Sequence, residues 1–219
     1  CLMATALFST MINRLAANAP GAPHPVLTSH IRTAAISACE RTGAWRYEHA
    51  TVTTVAGTYE YAFVPQSGAE VHTILTASIN GANLPSKTLE EIHKLYPKYP
   101  SSVTAERTTP QYIFQNNPDT FHVALVPDNS TDKIEMFVAQ KPLRTATGME
   151  GTVMDDLEDV IVHGALQSLL TLPETTWSDT ELAAYHAKQF TFKVSERRAR
   201  ANLGAGRATL TARASIPWA

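Results

Sequence analysis

Val52-Thr53-Thr54-Val55-Ala56-Gly57-Thr58-Tyr59-Glu60-Tyr61-Ala62-Phe63 is where the reading of the fold is decided, because here apolar residues change from helical spacing to alternation. Tyr59, Tyr61 and Phe63 alternate with Glu60 and Ala62, and Val52 and Thr54 precede them across Ala56-Gly57, which predicts strand, turn and strand. Downstream, Val71, Thr73, Leu75, Ala77 and Ile79 form a second alternating face, and Asn80-Gly81 after it is a hairpin signal. A short helix is expected from Ser86, its cap, to Leu95, with Pro97 stopping it. Tyr112 and Phe114, then Phe121, Val123 and Leu125, and then Ile134 to Ala139 follow as strands, punctuated by Asn116-Asn117-Pro118-Asp119 and Pro127-Asp128-Asn129. About six short antiparallel strands at this spacing read as a small β-sandwich or open barrel.

On both sides the period returns to that of a helix. Upstream, Leu7, Met11, Arg14 and Leu15, with Phe8 and Ile12, predict a short helix before Pro20-Gly21-Ala22-Pro23. A second runs from Thr28, a plausible N-cap, through Ile31, Ala34, Ala35, Ala38 and Cys39 to Gly43. Past the strands, Leu157, Val160, Ile161, Gly164, Ala165, Ser168 and Leu172 mark a helix closed by Pro173, and its acidic start suits the positive end of a helix dipole. A longer helix is expected from Asp179 to about Leu203, with Leu182, Tyr185, Gln189, Phe192, Ala199 and Leu203 along one side, and Gly204-Ala205-Gly206 ends it. The expected class is therefore α+β: a helical bundle of two N-terminal and two C-terminal helices, an inserted antiparallel sandwich or barrel-like domain, and an extended C-terminal arm. The corresponding domains are residues 1–44, 45–142, 143–206 and 207–219.

A chain of 219 residues can build one sizeable core, and 44% hydrophobic residues supply it. Charged residues reach only 17%, below the usual quarter, which points to surface covered by partners. No run approaches the roughly 20 apolar residues of a membrane span. The opening Leu2-Met3-Ala4-Thr5-Ala6-Leu7-Phe8 lacks a basic leader and is followed by Asn13 and Arg14, so no signal peptide is expected and assembly is expected in cytosol. Cys1 and Cys39 have no metal-ligand spacing, and Cys39 reads as a small buried residue. Charges are unevenly placed. Between Arg144 and Lys188 there is no Lys or Arg, while Glu150, Asp155, Asp156, Glu158, Asp159, Glu174, Asp179 and Glu181 all fall there. From Lys188 onward, Lys193, Arg197, Arg198, Arg200, Arg207 and Arg213 accompany a single acid, Glu196.

Motifs of chemistry are weak. The run Asp155-Asp156-Leu157-Glu158-Asp159 has no His or Gly-rich loop beside it and reads as a solvated helix start, not a cation site. Of the eight histidines no pair has HxxxH spacing, and His163 in an apolar helix reads as an interior or interface residue. GxSxG does not occur, and Gly204-Ala205-Gly206 lacks the rest of a phosphate-binding loop. No catalytic, cofactor or metal residue is therefore assigned, and no enzyme is expected. The basic Arg197-Arg198-Ala199-Arg200 admits three readings: solvation, docking on an acidic protein surface, or contact with nucleic acid. Trp218 beside Pro217 favours docking, since exposed Trp is an anchor type at interfaces.

The order of these features resembles the head-to-tail adaptor (connector) proteins of tailed bacteriophages. The resemblance rests on the helix pair followed by Val52 to Tyr61 and Pro65, the strand into Asn80-Gly81, and Leu89-Glu90-Glu91-Ile92 before Tyr96-Pro97. Thr109-Pro110-Gln111-Tyr112 and Lys141-Pro142 before Met154-Asp155-Asp156-Leu157 continue it, over roughly residues 26 to 203. It implies that the helices Ala4 to Asn18, Thr28 to Arg41, Met154 to Leu172 and Asp179 to Leu203 form the bundle. It further implies a virion protein, assembled in the host cytoplasm into a twelvefold ring between the portal protein and a tail, nozzle or stopper protein, with genomic DNA passing through. On this reading Arg197, Arg198, Arg200, Arg207, Arg213, Ile216 and Trp218 dock on the portal, and Asp155, Asp156 and Asp159 face the channel. A competing reading is a β-sandwich module binding carbohydrate or peptide through Trp45, Tyr59, Tyr61 and Tyr112. It leaves the helices without a purpose. A hydrolase with a scattered acid pair has no positive support.

Overall fold

Glycine 43 sets the end of the first long helix. In the computed structural model, which describes residues 5–100 and 108–203, α2 (His24–Thr42) stops where Gly43 turns left-handed at φ 60° and its N–H bonds the Cys39 carbonyl. The helix begins four residues before Thr28, because Pro23 is its N-cap and Pro25 fits the first turn, where no N–H is needed. Its inner face is Leu27, Ile31, Ala34, Ala35, Ala38 and Cys39. Against that face lies α4 (Gly151–Leu169), and α5 (Thr180–Leu203) returns antiparallel along α4. A Cβ on Gly164 would stand 2.9 Å from the Phe190 ring and 3.2 Å from Ala34, so this glycine lets three helices meet.

The described strands form three antiparallel sheets. β2 (Arg46–Thr53), β8 (Lys133–Pro142), β4 (Ala69–Ile79) and β5 (Ala82–Asn83) make a four-stranded sheet in that order. β3 (Glu60–Ala62), β7 (Thr120–Ala124) and β6 (Tyr112–Gln115) make a three-stranded one. Asn80 and Gly81, at φ 48° and 78°, close the β4–β5 hairpin. One apolar cluster joins the two sheets, with Val71, Ile79, Ile134 and Val138 from one and Ile113, Phe121 and Val123 from the other. The third sheet is a two-stranded ribbon of β1 (Thr5–Leu7) and β9 (Gly148–Glu150). A Cβ on Gly148 would collide with the Ala6 carbonyl, so the ribbon requires glycine there. A short α3 (Leu89–Leu95) is held by a capping box between Thr88 and Glu91, two residues beyond Ser86.

This arrangement corrects the expected class. The described residues are mixed α+β with five helices and three antiparallel sheets, and not two plus two helices bundled around a single inserted sandwich or barrel. The predicted helix Ala4 to Asn18 breaks into β1, a 3-10 turn (Phe8–Met11) and the five-residue α1 (Ile12–Ala16). Phe8, Met11, Ile12 and Leu15 are buried while Leu7 is exposed, and Thr5 to Leu7 pair with residues some 140 positions away, which local periodicity cannot register. A strand pair also borders the helices outside residues 45–142, since β9 leads directly into α4. The expected arm, residues 207–219, lies outside the described residues.

Candidate partner-binding site

The antiparallel α4–α5 hairpin carries every described residue singled out for docking or for the channel. Asp179 caps α5 by accepting the Leu182 N–H at 2.9 Å, and its own N–H bonds the Leu170 carbonyl at 3.0 Å. Along α5 the buried residues Ala183, His186, Phe190 and Val194 follow helical spacing and seat the helix on α4.

One edge of the hairpin is a ladder of opposite charges. Arg197 reaches Asp156 at 2.7 Å, with Arg200 on the same oxygen at 3.5 Å. Lys193 bonds Asp159 at 3.4 Å, and Arg14 on α1 holds Asp159 at 3.3 Å and Glu158 at 2.6 Å. Burial works to raise the Asp159 pKa, but Lys193 and Arg14 outweigh it and hold the carboxyl below its ordinary range. The Glu158 hydrogen bond raises the Arg14 pKa further. The acidic run is thus not a dipole-capping start: the first turn of α4 contains no acid, and the carboxylates beyond it serve cations of α5 and α1. The clustering of acids and then bases was legible in sequence. The part of Arg14 was not, because it acts across 145 residues.

Deeper in the same seam, His163 and His186 meet through their Nδ1 atoms at 2.8 Å. Burial, then the neighbouring His186 and Lys193, lowers the His163 pKa, and burial alone lowers that of His186. One ring must donate and the other accept, so the pair holds at most one shared proton at this bond.

The remaining site residues separate. Asp155 is exposed and makes no ion pair among the described residues. Arg198 is exposed on the far side of α5, in a groove of about 550 Å³ shared with Glu40, Arg41, Arg46 and Asn202. Arg207, Arg213, Ile216 and Trp218 lie outside the described residues. The outward side of α5 holds a surprise for periodicity. Tyr185, Phe192 and Leu203, 51%, 67% and 49% exposed, point away from the core, although they belong to the side that sequence spacing marks as apolar.

Two of the four aromatic residues of the carbohydrate- or peptide-binding alternative, Trp45 and Tyr61, are committed elsewhere. Trp45 is buried with its Nε1–H on Gln66 and Glu150, and the Tyr61 hydroxyl bonds the Val55 N–H and the Thr58 carbonyl. Among the described residues no group of three or more His, Cys, Asp or Glu is placed to hold a metal ion. No helix described is long and apolar enough to cross a membrane.

What the hairpin offers its surroundings is a groove holding Arg41, Arg46 and Arg198 and an exposed apolar stripe on α5. The chain belongs to the SU10 adaptor protein family, whose model matches residues 6–214, and so to the structural head-to-tail adaptors of tailed phages. No curated protein similar to it was found.

Proposed function

We propose that the protein is a virion component that forms a ring between portal and tail and continues the DNA channel. The family match across residues 6–214 carries this reading. In it the units are residues 1–44, 45–142, 143–206 and the docking arm 207–219. Portal docking falls to Arg197, Arg198 and Arg200 at the basic end of α5 and to Arg207, Arg213, Ile216 and Trp218 beyond it. An acidic portal surface suits such residues, because rim charges steer the encounter while an apolar anchor supplies residence. Asp155, Asp156 and Asp159 face the channel, where negative charge keeps phosphates from sticking. The charge ladder favours a division of labour: Asp156 and Asp159 fix the hairpin, and Asp155 contributes its charge to the lumen.

Electron microscopy of the protein mixed with isolated portal provides the test. Rings stacked coaxially on the portal are expected, twelvefold if the subunits match portal symmetry. Portals that stay bare at saturating protein would remove the assignment.

A further inference from the structure

Phe192, at 67% the most exposed large apolar side chain of the protein's described surface, sits at the middle of an unpartnered stripe on α5. Counting outward from it, Tyr185 lies seven residues before and Ala199 seven after. Lys188 lies four before and Glu196 four after. All five occupy the side of the helix opposite Ala183, His186, Phe190 and Val194, and all five are exposed. Lys188 and Glu196 form no ion pair among the described residues, and at about 12 Å apart along the helix they cannot reach each other.

The stripe is thus arranged about its own centre. Equal steps in the two directions meet a large ring and a small methyl, then a positive and a negative charge. Such an order is its own complement when the helix is laid against a copy running the other way. Tyr185 then covers Ala199 of the second copy, Phe192 packs on Phe192 across the axis, and Lys188 meets Glu196 twice over. Leu203, eleven residues after Phe192, falls against the methylene stem of Glu181, eleven before it. A symmetric parallel pairing would place Lys188 on Lys188 and Glu196 on Glu196, so charge decides the orientation.

We propose that this face of α5 is the contact for a second copy of the chain in the free protein, antiparallel about a two-fold axis at Phe192. The pairing covers apolar surface that a soluble subunit otherwise exposes before it enters a particle. One helical stripe is a small interface, so the dimer is weak and forms at a dissociation constant on the order of micromolar or above.

Sedimentation velocity of the full chain, from about 1 to about 500 μM, reads it directly. A concentration-dependent dimer is expected, and Phe192→Glu should leave only monomer with an unchanged circular dichroism spectrum. Lys188→Glu and Glu196→Lys should each weaken the dimer about tenfold, since each places like charges together at two symmetric points. The double reversal K188E/E196K should restore it to within about twofold, because both pairs are re-formed with exchanged signs. Monomer throughout, a dimer indifferent to Phe192→Glu, or a double reversal no tighter than the singles would overturn the proposal. So would a dimer that appears only after residues 207–219 are deleted, which would make that segment the stripe's occupant. Dimerisation is read on the isolated chain, so its failure leaves the ring on the portal untouched.

Discussion

His49 shows how much a single buried side chain fixes here. It is 3% exposed, at the bulge of β2 where pairing with β8 shifts between His49 and Val52. Its Nε2 accepts the Val64 N–H at 2.8 Å while Nδ1–H donates to the Ala50 carbonyl at 2.7 Å. Only the neutral ring protonated on Nδ1 makes both bonds. Burial lowers its pKa from the ordinary 6.5, with the Ala50 bond acting the other way. Since the folded state then takes up a proton less readily than the unfolded one, the stability it contributes is complete above 6.5 and is lost as pH falls through the folded value. Melting temperature should therefore drop between about pH 7 and about pH 5, and His49→Leu should cost about 1–3 kcal/mol at neutral pH by orphaning the Val64 N–H. The variant should also show a shallower pH dependence; a residual slope is expected, because burial lowers His30, His122, His163 and His186 as well. A slope identical to wild type would show that His49 is not part of the acid response. None of this was visible in sequence, where His49 is one polar residue among several on a strand and its partner Val64 lies beyond a turn.

Helices and strands were legible to the extent that their partners are local. The α5 start at Asp179, the α2 stop at Gly43 and the Asn80-Gly81 hairpin follow from caps and turn chemistry, which act within a few residues. Which side of α5 turns inward did not follow. The core side is set by small and polar residues, Ala183, His186 and Val194 around Phe190, that fit the notch at Gly164, while the larger Tyr185 and Phe192 stand outside. Packing against a specific neighbour overrode amphipathic spacing. On α4 a similar distinction separates three aspartates that look alike in sequence. Asp155 is free of ion pairs among the described residues, whereas Asp156 anchors Arg197 and Arg200. Asp155→Lys should thus leave thermal stability within about 0.5 kcal/mol and slow genome ejection from assembled particles. Asp156→Lys should lower stability by about 1 kcal/mol, kept small because the pair is partly solvated. Ejection at the wild-type rate in the Asp155 variant would remove this residue from the channel.

At the scale of the whole molecule, the two main apolar clusters divide the work. One gathers the helices from Phe8 to Val194, and the other ties the four-stranded and three-stranded sheets together. Among the described residues both are built from side chains between Phe8 and Val194. Lys141 of β8 links them electrostatically, bonding Glu40 of α2 at 2.7 Å and Glu70 of β4 at 3.3 Å. In the proposed assembly residues 207–219, which carry too few apolar side chains for a core of their own, take their order from the portal. Ile216 and Trp218 suit an apolar groove, and Arg207 and Arg213 suit carboxylates at its rim. Deleting residues 207–219 should leave the circular dichroism spectrum and the melting temperature of the isolated protein nearly unchanged. The same deletion should abolish its incorporation into portal-containing heads, measured by quantitative blotting of purified particles. Incorporation of the truncated chain at the wild-type level would shift docking from the tail to the helices, and the exposed Arg198 in its groove beside Arg41 and Arg46 would be the next surface to substitute.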